Sequence, residues 1–163
     1  MTECTACGAP VQVVQTDYPF KESGLRNVVL RNVGVARCGD CGNEDVLIPH
    51  LDELMRVLAL AVISQPYPLR GEDVRFLRKY IHMTQVQLAE LLDVDKTTLS
   101  KWETNDDRPG RQSDRLIRAV IVALGEGLKQ TMEKVIRGFV GIENSALRPT
   151  MIMDPGSMEY EYA

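Results

Sequence analysis

Two pairs of cysteines constrain this chain more than any other feature. Cys4-Thr5-Ala6-Cys7-Gly8 and Cys38-Gly39-Asp40-Cys41-Gly42 are C-x-x-C-G segments separated by thirty residues, and they use every cysteine of the protein. Each short loop aims two thiolates at one point, and the glycine after the second cysteine lets the backbone turn over a metal. Two such loops make a tetrahedral S4 site, the closed geometry of structural zinc. Cys4, Cys7, Cys38 and Cys41 are therefore expected to hold one Zn2+ per chain. Two disulfides would require an oxidising compartment.

Iron is the redox alternative, because rubredoxin-like sites also use C-x-x-C-G pairs. Those sites pack aromatics around the metal, whereas this segment has only Tyr18 and Phe20. Val11–Gln15, Leu25–Leu30 and Val33–Arg37 read as strands, with Tyr18–Gly24 as a loop. A small sheet pinned by one metal is a zinc ribbon. With so few large apolar side chains it should need the metal to fold. His50 reads as a loop residue rather than a fifth ligand.

Met83–Asn105 reads as two short helices around a tight turn. Thr84 and Gln87 have capping-box spacing, with Met83 and Leu88 placed for a hydrophobic staple. Leu88, Ala89, Leu91 and Leu92 give the first helix an apolar face. Asp93-Val94-Asp95 breaks the pattern, and Asp95 is placed to cap a second helix from Lys96 to about Thr104. Leu99 and Trp102 lie on its inner side, and Thr97, Ser100 and Lys101 on the other. A capped helix, a turn and a second helix presenting small polar and basic groups suits a DNA major groove. An ordinary helical hairpin is the bland reading.

The pattern T-Q-x-x-L-A-x-x-L-x-V-x-x-x-T-L-S-x-W-E resembles the helix-turn-helix of the Cro/C1-type (XRE) repressor family. Asp93 and Asn105 stand where that family often has Gly. Both positions favour left-handed backbone, which Asn and Asp tolerate better than other non-Gly residues.

Around this motif, Leu51–Ile63 reads as a helix that covers the ribbon or bridges onward. Ser64–Gly71, with two prolines, reads as a semi-rigid linker. Glu72–Ile81 reads as a helix with Arg75, Arg78 and Lys79 on its solvent side. Arg108 and Arg111 follow in a turn-rich loop. Ser113 is placed to cap a helix to Leu124, and Leu128–Phe139 forms a last one. An apolar excess in these two helices suits either the core or a homodimer interface. Thr150–Met153 suits an edge strand, the alternative being a mobile acidic arm. The expected architecture is thus α+β with two domains: a ribbon with its trailing helix (1–63), a linker (64–71), an all-α five-helix Cro/C1-type domain (72–142) and an acidic tail (143–163).

A net charge of −4 is unusual for a DNA binder. Its distribution explains part of this, with −3 over residues 1–69, +2 over 70–142 and −3 over 143–163. The positive third surrounds the helix pair, and the acidic flanks leave surface for a basic protein partner. No apolar run is long enough to span a membrane. The N-terminus lacks the basic start and apolar stretch of a signal peptide, so a cytoplasmic protein is expected. No nucleophile–base constellation is visible, and an enzyme is not expected.

Taken together, the N-terminal C-x-x-C…C-x-x-C ribbon, the linker and the Cro/C1-type segment resemble the MqsA/YgiT-type zinc-finger antitoxin family over about residues 1–140. The resemblance implies a type II antitoxin whose ribbon holds a toxin and whose helix-turn-helix dimer represses its own operon at a palindromic site on double-stranded DNA. It implies a structural zinc on the four cysteines and base-reading positions at Thr97 and Lys101. The acidic tail lies outside the family pattern. On chemical grounds Lys96 and Ser100 suit base or backbone contact, and Gln85 suits a phosphate at the N-terminus of the first motif helix. A stand-alone regulator sensing metal or an effector, and an iron electron-transfer module, are the competing readings.

Overall fold

The computed structural model describes residues 3–143 and 148–163. Residues 144–147, part of the expected acidic tail, lie outside the described residues. The chain folds as a small cysteine-bearing sheet followed by six α-helices, and it returns to the sheet at its end. The strands are β1 (Val11–Pro19), β2 (Val28–Cys38) and β3 (Glu44–Leu47). The helices are α1 (Leu51–Ser64), α2 (Gly71–Tyr80), α3 (Gln85–Leu91), α4 (Lys96–Glu103), α5 (Arg111–Leu124) and α6 (Met132–Gly138). Strands β4 (Met151–Asp154) and β5 (Glu159–Tyr162) close the order.

Of the expected strands Leu25–Leu30 and Val33–Arg37, Val28–Leu30 and Val33–Arg37 belong to one strand, while residues 25–27 precede it. Arg31-Asn32 reads as a break, but Asn32 takes a left-handed φ of 51° inside β2. Its N–H donates to the Asp17 carboxylate at 2.9 Å. The register with β1 slips at this point, between Thr16 and Tyr18. The irregularity has a purpose visible in the burial. Val28 and Leu30 point into the core before it, and Val33 and Val35 after it. One extra residue switches the parity and keeps both halves facing inward.

β1 occupies one edge of β2. The other edge is shared by β3, antiparallel to Gly34–Arg37, and β4, parallel to Val28–Leu30. β5 then pairs antiparallel with β4. The segment expected as an edge strand at Thr150–Met153 is thus a strand over Met151–Asp154, but it lies between β2 and β5 rather than at an edge, and it buries Met151 and Met153 completely. The acidic residues of this end, Glu159 and Glu161, point outward from β5.

α1 is apolar almost all round, as a helix packed on several sides must be. Leu54, Leu58, Ala59, Ala61 and Val62 are fully buried, while Leu51 at the first turn is exposed. The helix meets α2, α6 and β5. His50 precedes it in left-handed backbone and stands apart from the cysteines. One apolar cluster runs from Phe20 and Leu30 through α1 to Leu77, Leu88, Leu99 and Ile117.

α5 begins two residues before Ser113, with Gly110 at its N-cap. This places Asp114 in the first turn, where its buried carboxylate pairs with Arg118 one turn on. The same Arg118 donates to the carbonyls of Ile63, Gln65 and Tyr67 at 2.6–2.8 Å. Asp114 also accepts from the Leu69 N–H at 2.6 Å. Residues 64–71 are therefore held from the side by one ion pair, through the Gln65 and Tyr67 carbonyls and the Leu69 N–H.

Candidate nucleic-acid interface and metal centre

The chain between α2 and α5 is shaped by three helix ends of one type. In each, the residue after the C-cap is left-handed: His82 (φ 56°), Asp93 (φ 52°) and Asn105 (φ 62°). In each, its N–H and the next one return to the last turn. His82 and Met83 donate to Lys79 and Arg78, Asp93 and Val94 to Glu90 and Ala89, and Asn105 and Asp106 to Trp102 and Lys101. These are Schellman ends in which Gly is the usual choice. The left-handed backbone expected at Asp93 and Asn105 is present, and His82 is a third case. Asn105 adds something Gly lacks, because its Oδ1 accepts the Gly71 N–H at 2.8 Å.

The start of α3 is the reciprocal box expected from its sequence. Gln87 N–H donates to Thr84 Oγ1 at 3.2 Å, and Thr84 N–H donates to Gln87 Oε1 at 2.9 Å. Asp95 occupies the N-cap position of α4, but its side chain makes no capping bond. α4 buries Leu99 and Trp102 and turns Lys96, Thr97 and Lys101 outward, with Ser100 half-buried between them. Among the described residues Lys96, Lys101, Arg108 and Arg111 enter no ion pair.

Behind α4 lies a charged clamp. Glu103, only 3% exposed, accepts both Arg78 Nε at 2.6 Å and Arg78 Nη2 at 3.0 Å. The Gln85 amide reaches the same carboxylate at 2.8 Å, and Arg78 Nη1 donates to the Met83 carbonyl at 2.8 Å. One bidentate pair thereby ties together α2, α3 and α4. Arg78, expected on the solvent side of its helix, is in fact drawn inward by this buried acid. Arg75 remains half-exposed at the rim. Gln85 keeps a second amide N–H beyond the one given to Glu103.

The four cysteines come together at the far end of β1 and β2. Their sulfurs all lie within 4.8 Å of one another, with Cys4–Cys41 at 3.6 Å and Cys7–Cys38 at 3.5 Å. Metal–sulfur bonds of about 2.3 Å in a tetrahedron put ligand sulfurs about 3.8 Å apart, so the donor set fits a metal ion. All four are free thiols rather than disulfides. Gly8 (φ 76°) and Gly42 (φ 73°) take the left-handed turns expected of them. Each returns its N–H to the first cysteine of its pair, at 2.9 and 3.1 Å. The Ala6 N–H, and after it that of Cys7, draws the Cys4 thiol down to about 7.

A polar staple beside the thiols has no signature in the cysteine spacing. Thr5 Oγ1 donates to Asp45 at 2.7 Å, and Asn43 Nδ2 reaches Thr5 and Asp45 at 3.3 and 3.0 Å. It ties the first knuckle to β3. Cys4 and Cys38 are buried, while Cys7 and Cys41 face solvent.

Residues 74–113, about a quarter of the chain, match the family described as Helix-turn-helix. That match supports a DNA-binding transcription regulator. No curated protein and no solved structure matches the chain at a significant level. Among the described residues no helix is long and apolar enough to cross a membrane. The molecule is thus defined at the level of its parts: a helix-turn-helix beside a four-cysteine sheet able to bind a metal ion.

Proposed function

We propose that this protein is a cytoplasmic transcriptional repressor and the antitoxin of a type II toxin–antitoxin pair. In this reading residues 72–142 bind a palindromic operator as a homodimer. Residues 1–63 hold the toxin, and residues 64–71 join the two. The observation that carries the DNA-binding reading is the outer face of α4, where Lys96, Thr97 and Lys101 are exposed directly opposite buried Leu99 and Trp102. The antitoxin reading rests on the order of the modules, a four-thiol sheet preceding a helix-turn-helix.

On DNA, Lys101 donates to guanine O6 or N7, and Thr97 meets a thymine methyl or a base edge. Lys96 and Ser100 contact base or backbone. The remaining Gln85 amide N–H and the free N–H groups at the start of α3 face a phosphate. Exposed Leu116 and Leu124 on α5 supply apolar surface for the partner copy. Two such helices read half-sites about one helical turn apart. Cys4, Cys7, Cys38 and Cys41 hold the zinc, which cross-links the two knuckles when bound.

The test is a DNA titration of Lys101→Ala with a duplex from the region upstream of its own gene and with a random duplex. The expected loss is about 1–3 kcal/mol on the upstream duplex with little change on random DNA. Equal loss on both rejects base reading. Native pull-down with the neighbouring gene co-expressed tests the toxin separately, and recovery of no small partner rejects that half. The exposure of Cys7 and Cys41 favours a second reading, a metal-responsive stand-alone regulator. It predicts DNA affinity that follows zinc supply.

A further inference from the structure

The chain's last described segment reaches back to the helix-turn-helix through one side chain. Arg148 lies between the first turn of α2 and the sheet, with its side chain 13% exposed. Its guanidinium pairs with Glu72 through Nη1 and with Asp73 through Nη2, the latter at 2.7 Å. Its Nε is buried with no hydrogen-bond partner, so the two carboxylates are what hold it there. The Arg148 backbone is anchored on the sheet side. Asn27 Nδ2 donates to the Pro149 carbonyl at 2.8 Å, and Met151 N–H donates to the Asn27 carbonyl at 2.7 Å.

Asp73 is the other half of this junction. It is fully buried, and it also accepts the Arg70 N–H at 2.8 Å and the Gln65 amide at 3.3 Å. Burial pushes its carboxyl up, and the Arg148 charge opposes that push. Without Arg148, a buried carboxylate at the start of α2 loses its counter-charge, which is costly to leave unpaired.

The start of α2 in turn sets the end of α4. A Cβ built on Gly71 would lie 2.2 Å from the Trp102 carbonyl oxygen, so the two backbones touch. The Gly71 N–H also donates to Asn105, the left-handed residue that terminates α4. A shift of the α2 N-terminus is therefore passed to α4 through the Gly71–Trp102 backbone contact and through the short Asn105 side chain beside it.

We infer that Arg148 is a positioning residue for DNA binding: it locks the first turn of α2, and through the Gly71–Asn105 bond it fixes the attitude of α4. The inference rests on the DNA-binding reading for its functional consequence. Its structural half stands independently of DNA.

The experiment uses the full chain carrying Arg148→Met or Arg148→Lys. Amide hydrogen exchange is followed at Gly71, with Leu88 and Leu99 as internal references. Affinity is measured for the upstream duplex and a random duplex. In Arg148→Met, Gly71 exchanges about tenfold faster relative to those references, and preference for the upstream duplex falls about tenfold, as expected for the loss of a charged hydrogen bond. Arg148→Lys keeps the charge but not the fork, and recovers part of both effects. If the Met variant does not fold, the Lys variant carries the test with smaller shifts of the same sign. Wild-type protection of Gly71 in either folded variant overturns the inference. If the wild-type protein shows no preference for the upstream duplex, the DNA reading fails, and Gly71 exchange still decides whether Arg148 positions α2.

Discussion

Around the four thiols, Cys4 and Cys38 are the only buried residues of 3–16 and 37–46. Around α4, by contrast, Leu88, Leu99, Trp102 and Ile117 are packed out of solvent, and a carboxylate is buried with its arginine behind them. One end of the molecule has a ladder of backbone hydrogen bonds and four converging sulfurs but no apolar core of its own. The other has the core, and uses charge inside it to fix helix orientation. The two ends should therefore fail differently. The first has a thiol set able to take an ion from outside, and the second relies on pairs made by the chain itself.

The largest expected effect is on the sheet. On the proposed zinc-bound reading, Cys38→Ser or chelation removes a ligand-set contribution on the order of 10 kcal/mol from that end. Exchange at β1 amides such as Val13 and Gln15 should then accelerate by orders of magnitude, while Leu99 and Ile117 amides stay protected. Loss of protection at both ends together would mean that they unfold as one unit. Next in size is Asp114→Ala, which leaves Arg118 buried without its acid. The expected cost is about 3–5 kcal/mol, read as a fall in the main unfolding transition by calorimetry. β1 exchange at temperatures below that transition should not change. Smallest is Thr84→Ala, which removes one half of the α3 box. A cost of about 1 kcal/mol is expected, visible in denaturant midpoints and confined to the helical end.

Legibility in the sequence followed the range of the interaction. The Thr84–Gln87 box, the two cysteine knuckles and the outer face of α4 are local patterns, and each is present as read. The left-handed positions at Asp93 and Asn105 were also readable, because helix ends demand particular residues close by. Arg78, Asp73, Asp114 and Arg118 were not. A charged residue on a helix reads as solvent-facing unless its partner is known, and the partners of Arg78 and Asp73, Glu103 and Arg148, lie 25 and 75 residues further along. The pair Asp114–Arg118 has ordinary helical spacing, so nothing local marks it as buried. β2 read as two strands because Asn32 looks like a turn until Asp17 is seen to hold it.

The parallel pairing of β4 with β2 has a consequence for how the molecule is made. Val28–Leu30 finds its neighbour in Met151–Met153, which emerges from the ribosome only after α1–α6 have been synthesised. Until then β2 carries an unpaired inner edge beside Val28 and Leu30, the kind of edge other strands adhere to. A ribosome that stalls late should therefore release a chain whose helix-turn-helix is complete but whose sheet is open. Such fragments should aggregate or attract chaperones, so β4 and β5 serve also as a cover for the edge of β2.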